Sequence, residues 1–284
     1  MATVRQLLET GAELPGETAR RDAEILLGHS LGESRSWLYT WPEREIPRDA
    51  EERYLGFLAR RRKGEPVAYL TGQRAFWTLQ LAVDHATLIP RIETETLVSW
   101  ALELAVSDSA TVLDLGTGSG AIALALASER PGWSITALDC CSAALSVATA
   151  NARSNALHSV RFLQSDWYDA VRGEVFEIIV ANPPYIDPDD PHLDSGDLQF
   201  EPRSALVAAN GGLADLESIV QDASGQLAPG GWLLLEHGFE QGAAVRQLLQ
   251  SAGFVRVATR CDLAGRERVS GGQCVATGGR SNAE

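Results

Sequence analysis

Cysteine is scarce in this chain of 284 residues: Cys140, Cys141, Cys261 and Cys274 form no Cys-x-x-Cys pair. That excludes a secreted disulfide framework, and no metal site is read from the sequence. The adjacent pair Cys140-Cys141 falls where a strand should end, so buried or half-buried free thiols in a reducing compartment are expected. Long apolar runs are missing too. None approaches the roughly 18 residues of a membrane span, and the opening stretch Met1–Glu17 lacks the apolar core of a signal peptide. A cytoplasmic location is the default. Positive charge is also in deficit, 24 Lys and Arg against 38 Asp and Glu, for a formal net charge of −14. Nucleic-acid binders usually advertise a basic face, because counterion release supplies much of their affinity. The dense basic run Arg60-Arg61-Arg62-Lys63 ends a predicted helix, where cations suit the helix dipole. No stable nucleic-acid complex, no membrane contact and a monomeric state are therefore expected.

What is present is ordinary globular composition, 45% hydrophobic and 22% charged, in a length comfortable for two domains. Residues 1–73 read as short amphipathic helices. Thr3 and Thr18 are expected to cap the first two, and a third starts after Pro47. Such a bundle carries little chemistry and suggests docking. Residues 74–90 read as a β-hairpin linker, with Trp77, Leu79, Leu81 and Val83 alternating along one strand. Over 91–284, strands and helices alternate as in a parallel sheet. Strands are predicted at Val112–Leu115, Ser134–Asp139, Val160–Gln164, Phe176–Ala181 and Trp232–Glu236, with helices at Ala121–Glu129, Ala143–Asn155, Leu213–Leu227 and Gln241–Ala252. Two last strands, Phe254–Cys261 and Arg268–Ala276, are joined by a short turn and must be antiparallel. The polar tail Gly278–Glu284 is expected to fray.

The segment Asp114-Leu115-Gly116-Thr117-Gly118-Ser119-Gly120 takes a buried strand into a glycine-rich turn and then a helix. Glycine permits the tight turn and lets a ligand approach the backbone. A dinucleotide fingerprint is one reading. Two details favour S-adenosylmethionine: the GxGxG spacing directly after Asp114, and an acidic setting that suits an ammonium and a sulfonium. Asp139 ends the second strand, where a carboxylate can accept both ribose hydroxyls. Asp166 and Trp167 end the third, placed for the adenine amino group and ring.

The fourth strand runs into Asn182-Pro183-Pro184-Tyr185. Open α/β sheets bind ligands beyond the carboxyl ends of their strands, so this loop should face the cofactor. An amide or exocyclic amino nitrogen is a poor nucleophile because its lone pair is delocalised. The Asn182 side-chain oxygen and the Pro183 carbonyl can accept its two N–H groups, and both bonds strengthen as positive charge grows on nitrogen. The prolines stiffen the loop and remove donors, and Tyr185 offers a flat wall for a planar group. The tetrapeptide fits adenine N6 and glutamine N5 alike.

Further segments narrow the choice. Pro66–Gly72, Phe76-Trp77, Leu88-Ile89-Pro90-Arg91-Ile92-Glu93-Thr94-Glu95, Asn182–Ile186, Phe200–Leu206 and Leu234-Leu235-Glu236-His237-Gly238 resemble the release factor glutamine methyltransferase family across nearly the whole chain. The resemblance implies an α/β class I S-adenosylmethionine-dependent methyltransferase fold, Rossmann-like, its mostly parallel sheet ending in an antiparallel hairpin, with a small N-terminal helical domain. It implies N5 methylation of the glutamine in the Gly-Gly-Gln motif of class I peptide chain release factors. Gly116 to Gly120, Asp139, Trp167 and Asn182 would contact the cofactor, and Asn182 to Tyr185 the glutamine. The alternative is adenine N6 in DNA or RNA. The family usually has proline where this chain has Ile92. Glu93 and Glu95 either start a helix or serve the site. His237 reads as a turn residue, since the reaction needs no tuned base. The chain's own Gly271-Gly272-Gln273 lies inside a predicted strand, as a possible bulge, and reads as coincidence.

Overall fold

The structure is a computed structural model that describes residues 2–275. Ala276, the expected end of the last strand, and the tail Gly278–Glu284 lie outside the described residues. The chain divides into two compact units. The first runs to Gln73 and includes Asp194–Phe200; the second comprises Arg74–Leu193 and the chain from Glu201.

The first unit holds α1 (Val4–Gly11), α2 (Ala19–Leu31), α3 (Arg35–Thr40), α4 (Arg48–Arg61) and α5 (Val67–Thr71). Thr3 closes a capping box with Gln6, whose side chain accepts the Thr3 N–H at 2.9 Å. Thr18 makes no such cap. Its hydroxyl donates instead to Asp22, which also takes Arg61 at 2.9 Å. The core gathers Val4, Leu26, Leu27, Leu38, Ile46 and Leu58 around Tyr54, whose hydroxyl donates to the Leu7 carbonyl at 3.0 Å. Most of the basic run is internally paired: Arg60 bonds Glu65, and Arg61 reaches both Asp22 and Asp197.

The hairpin of β1 (Gln73–Phe76) and β2 (Leu79–Ala82) belongs, from Arg74 on, to the second unit. The alternating run expected as one strand instead turns at Trp77, whose φ is 55°. Glu95 accepts its N–H at 2.9 Å and Glu129 its indole N–H at 2.7 Å, which fixes the turn. Then follow α6 (Glu95–Glu103), β3 (Thr111–Leu115), α7 (Ala121–Glu129), β4 (Ser134–Asp139), α8 (Ser142–Ser154), β5 (Arg161–Gln164) and β6 (Phe176–Ala181). An irregular turn α9 (Ala209–Gly212), α10 (Ala214–Ala223), β7 (Leu227–Glu236), α11 (Gly242–Ser251), β8 (Val255–Cys261) and β9 (Glu267–Gln273) complete it. The helix expected to run to Leu227 stops at Ala223, and β7 takes in Leu227–Gly231.

The seven-stranded sheet has the order β5-β4-β3-β6-β7-β9-β8, parallel through β7 with β9 antiparallel to both its neighbours. Its central strands read as continuous apolar runs because both faces are covered. Val112, Ile178 and Leu234 pack with α6 and α7; Leu113, Ile179 and Leu233 pack with α10 and α11. Strand order reverses between β3 and β6, and the crevice beyond their carboxyl ends is where such sheets bind ligands.

Gly271-Gly272-Gln273 is not a bulge. It pairs in regular register with Leu234, Leu233 and Trp232; the irregularity lies in β8, at Val255–Ala258, where Arg256 has a φ of 52°. The Gln273 amide is fixed by a 2.7 Å bond to the Gly230 carbonyl, away from any catalytic loop. A Cβ on Gly271 would stand 2.4 Å from Leu234 Cδ2 and 2.9 Å from the Leu233 carbonyl. Gly271→Ala is therefore expected to destabilise the protein by roughly 1–3 kcal/mol through overpacking, read as a lower midpoint in urea with an unchanged slope.

Candidate active site

The turn after β3 depends on left-handed glycines: φ is 69° at Gly116, 56° at Gly118 and 85° at Gly120. Its backbone is tied to the neighbouring strand. Thr117 N–H donates to the Leu138 carbonyl at 2.8 Å, and Gly118 N–H to Asp139 Oδ2 at 2.8 Å. The other Asp139 oxygen takes the Cys141 N–H at 2.9 Å. Asp139 thus shapes the loop and keeps spare lone pairs for a ligand. Asn151 holds the same loop from α8. Its amide nitrogen donates to the Ser119 and Ala82 carbonyls at 2.8 and 2.9 Å, and its oxygen takes the Ala82 N–H at 2.6 Å.

Asp114 does not face the cavity. It is wholly buried beneath the turn, where Oδ2 accepts from Thr117 Oγ1 at 2.6 Å and Ala123 N at 3.2 Å, while Oδ1 has no partner among the described residues. Burial pushes its carboxyl up to about 7. The expected ligand contact at Asp114 gives way to a role under the loop.

After β5, Asp166 is exposed and Trp167 half-buried, with φ of 38° at Trp167. Ser165 pins this strained turn by accepting Ala170 N–H and donating to the Trp167 carbonyl, both at 2.9 Å. The indole lies over the glycine turn: a Cβ on Gly116 would be 3.7 Å from it. Asp215, near the start of α10, lines the same cavity. Burial and the Asp166 charge push its carboxyl above the ordinary range.

After β6, the Asn182 amide nitrogen donates to Thr94 Oγ1 at 3.3 Å. Among the described residues, no hydrogen bond occupies the Asn182 side-chain oxygen or the Pro183 carbonyl. Tyr185 is anchored on three sides. Its N–H donates to the Leu206 carbonyl at 3.2 Å, its carbonyl accepts Gln241 at 2.9 Å, and its hydroxyl lies 3.5 Å from Glu236 Oε1. Burial pushes that hydroxyl's pKa up. Its hydroxyl is directed toward Glu236, and Tyr185 is not among the residues that line the cavity.

Glu236 is buried at 1% exposure, and its Oε2 has no partner among the described residues. Burial pushes its carboxyl up to about 7, opposed by the nearby Thr94 hydroxyl, the charge of Arg268 and the Tyr185 hydroxyl. His237 is buried between the Gly238 carbonyl and Ser270 Oγ, each 2.8 Å from a ring nitrogen, and burial lowers its pKa. It has no route to a substrate proton. Glu201, which the sequence pattern did not single out, is a clamp. Its buried carboxyl takes the Ile89 N–H at 2.9 Å and pairs with Arg91. It ties the segment before α6 to the loop after β6. Glu95 is spent on Trp77, and Ile92 is 58% exposed.

One cavity collects Gly116, Thr117, Gly118, Ser119, Asp139, Asp166, Trp167, Asn182 and Pro184, with Thr94, Arg91, Asp215, Cys140 and Cys141. Gly120, Pro183 and Asp114 sit buried outside its lining, and the half-buried Tyr185 is outside it too. Cys140 is exposed rather than buried or half-buried as expected; Cys141 is half-buried, and both are free thiols.

The chain matches two family models, the PrmC N-terminal domain over residues 4–72 and the methyltransferase small domain over residues 93–214. A release factor glutamine methyltransferase from Pseudomonas aeruginosa is 52% identical over 273 residues, 96% of this chain and 99% of that one. One from Escherichia coli is 49% identical over 257 residues, 90% of this chain and 93% of that one. The chain belongs to the release factor glutamine methyltransferase family. Among solved structures, a methyltransferase from Pyrococcus furiosus superposes with a TM-score of 0.54 at 16% identity, covering 79% of this chain and 98% of that one. The hMettl16 catalytic domain, in complex with MAT2A 3'UTR hairpin 1, gives 0.57 at 16% identity, covering 78% and 79%. These two share the class I methyltransferase fold with the family.

The Glu201 clamp yields a stability test. Glu201→Ala strips a buried pair of one partner and is expected to cost about 3 kcal/mol, measured by urea unfolding. A loss below about 1 kcal/mol, the range of exposed pairs, would deny the clamp.

Proposed function

We propose that this protein transfers a methyl group from S-adenosylmethionine to the side-chain amide nitrogen of the glutamine in the Gly-Gly-Gln motif of class I peptide chain release factors, in the cytoplasm. The observation that carries the reading is the loop after β6 in a chain of this family. Among the described residues, two oxygens, on the Asn182 side chain and the Pro183 backbone, are left without donors while the Asn182 nitrogen is engaged by Thr94.

The cavity's chemistry fits the cofactor. Asp139, Asp166 and Asp215 line it, and its one lining guanidinium, Arg91, is paired with Glu201. Three carboxylates against a neutralised cation suit a sulfonium and an ammonium and oppose a pyrophosphate. Asp139 retains lone pairs for ribose hydroxyls, and Asp166, Asp215 and Trp167 lie together for the adenine. When bound, the cofactor would supply an electrophilic methyl, its S–CH₃ bond breaking with the electron pair left on sulfur as a neutral thioether.

The protein's task is to make a planar amide nitrogen attack. Two N–H bonds directed at Asn182 Oδ1 and Pro183 O hold the nitrogen with its lone pair free of them. As the N–C bond forms, nitrogen becomes positive and both acceptors bind its hydrogens more strongly, so they favour the transition state over the ground state. One proton then leaves the nitrogen for water. No tuned base is required, in keeping with the buried, doubly engaged His237.

Incubation with labelled S-adenosylmethionine and either a release factor or adenine-containing nucleic acid should label the release factor alone. Label in nucleic acid alone overturns the proposal. Asn182→Ala is expected to lower kcat by roughly 100-fold or more, as loss of a transition-state partner does, with cofactor affinity by calorimetry nearly unchanged. Equal losses in both would contradict the holding role.

A further inference from the structure

An asparagine amide has two ends of nearly the same shape and opposite hydrogen-bonding character. Only one orientation of Asn182 serves the reaction: oxygen toward the substrate, nitrogen away. We propose that Thr94 is the positioning residue that fixes this orientation, and that the buried Glu236 carboxylate fixes Thr94. The inference rests on the reading that Asn182 Oδ1 receives the substrate amide.

The residues form a chain under the β6 loop. Asn182 Nδ2 donates to Thr94 Oγ1 at 3.3 Å, the Thr94 hydroxyl faces the Glu236 carboxyl, and the Tyr185 hydroxyl reaches Glu236 Oε1 at 3.5 Å. Thr94 is 4% exposed and Glu236 1%, so water does not scramble the pattern. An ionised carboxyl accepts only. A hydroxyl turned to it gives it its single hydrogen, and a Thr94 so turned shows Asn182 nothing but lone pairs. The amide has to meet those with its NH₂ group, which leaves its oxygen toward the cavity. Protonation removes the constraint. A neutral Glu236 can donate to Thr94, whose hydrogen is then free to turn to the Asn182 oxygen. The amide would follow and present its NH₂ to the substrate's N–H groups, donor against donor.

The proton has a place to reside, since Oε2 of Glu236 has no partner among the described residues. Three further groups act on this carboxyl. Arg268 on β9 favours the ionised form, whereas Glu93, in the turn before α6, and burial itself disfavour it. His237, the next residue, is bound instead to Ser270 and the Gly238 carbonyl. The balance brings Glu236 up to about 7, so the switch falls in the neutral range.

The test is the pH profile of kcat for the full-length enzyme with a release factor, together with two substitutions at Thr94 and one at Glu236. Wild-type kcat should fall on the acid side of about pH 7, and Glu236→Gln, which cannot ionise, should lack that limb and run at a lower, pH-independent rate. Thr94→Val, equal in shape but without the oxygen, should lose roughly tenfold or more in kcat with cofactor affinity by calorimetry retained, and Thr94→Ser should restore most of it. An acid limb that persists unchanged in Glu236→Gln overturns the proposal. So does wild-type kcat in Thr94→Val, or a matching loss of cofactor affinity there. If Glu236→Gln does not fold, a wild-type profile flat between pH 6 and 8 overturns it alone. Asn182→Ala measured alongside separates the layers: if it is fully active, the holding role itself fails. If it loses kcat while Thr94→Val does not, only the positioning proposal fails.

Discussion

A planar amide nitrogen must meet acceptors, and only acceptors, while it takes a methyl group; on the proposed reading, the loop after β6 is organised around that constraint. Its prolines carry no N–H, the Pro183 carbonyl has no hydrogen-bond donor among the described residues, and the Asn182 nitrogen is turned aside to Thr94. A loop of ordinary residues would offer backbone donors at the same place and compete with the substrate's own hydrogens. The rest of the unit keeps this short stretch in position at the switch point of the sheet.

Three buried carboxyl groups do much of that work. Asp114 supports the glycine turn, Glu201 ties the segment before α6 to the loop after β6, and Glu236 stands under Asn182 by way of Thr94. Of these only Glu201 is paired with a cation. Asp114 and Glu236 each keep one oxygen without a partner and are pushed up to about 7. Groups with carboxyl pKa values raised on folding bind protons more tightly in the native state, so their contribution to stability declines as pH rises from the ordinary carboxylate range through about 7. Such groups oppose maximal stability at neutral pH, and they cluster under the site's loops, as perturbed groups at functional sites often do.

The parts of the site legible in the sequence are those encoded locally. The glycine turn, Asp139, Asp166-Trp167 and Asn182-Pro183-Pro184-Tyr185 each follow a strand, and topology alone brings strand ends together. What stayed hidden depends on contacts between distant residues. Glu201 meets Ile89 across 112 positions, Thr94 meets Asn182 across 88, and Asn151 meets Ala82 across 69. No periodicity marks such partners. Asp114 was misplaced for a different reason. An acid at the end of a buried strand looks the same in sequence whether it faces a ligand or lies beneath a loop, and only burial separates the two. Likewise, alternation from Trp77 to Val83 cannot reveal that Trp77 turns the chain, because Glu95 and Glu129 fix that turn from elsewhere. The membership of Asp194–Phe200 in the helical unit is equally a matter of a long-range pair, Arg61 with Asp197.

The central claim is that the substrate nitrogen sits between two acceptors of one loop. A crystal structure of the enzyme with a release factor and the demethylated cofactor measures this directly. The account predicts the glutamine amide nitrogen about 2.7–3.2 Å from both Asn182 Oδ1 and the Pro183 carbonyl, with Asn182 Nδ2 still on Thr94. An amide nitrogen bound to neither oxygen, or an Asn182 that offers its own nitrogen to the glutamine, would contradict it.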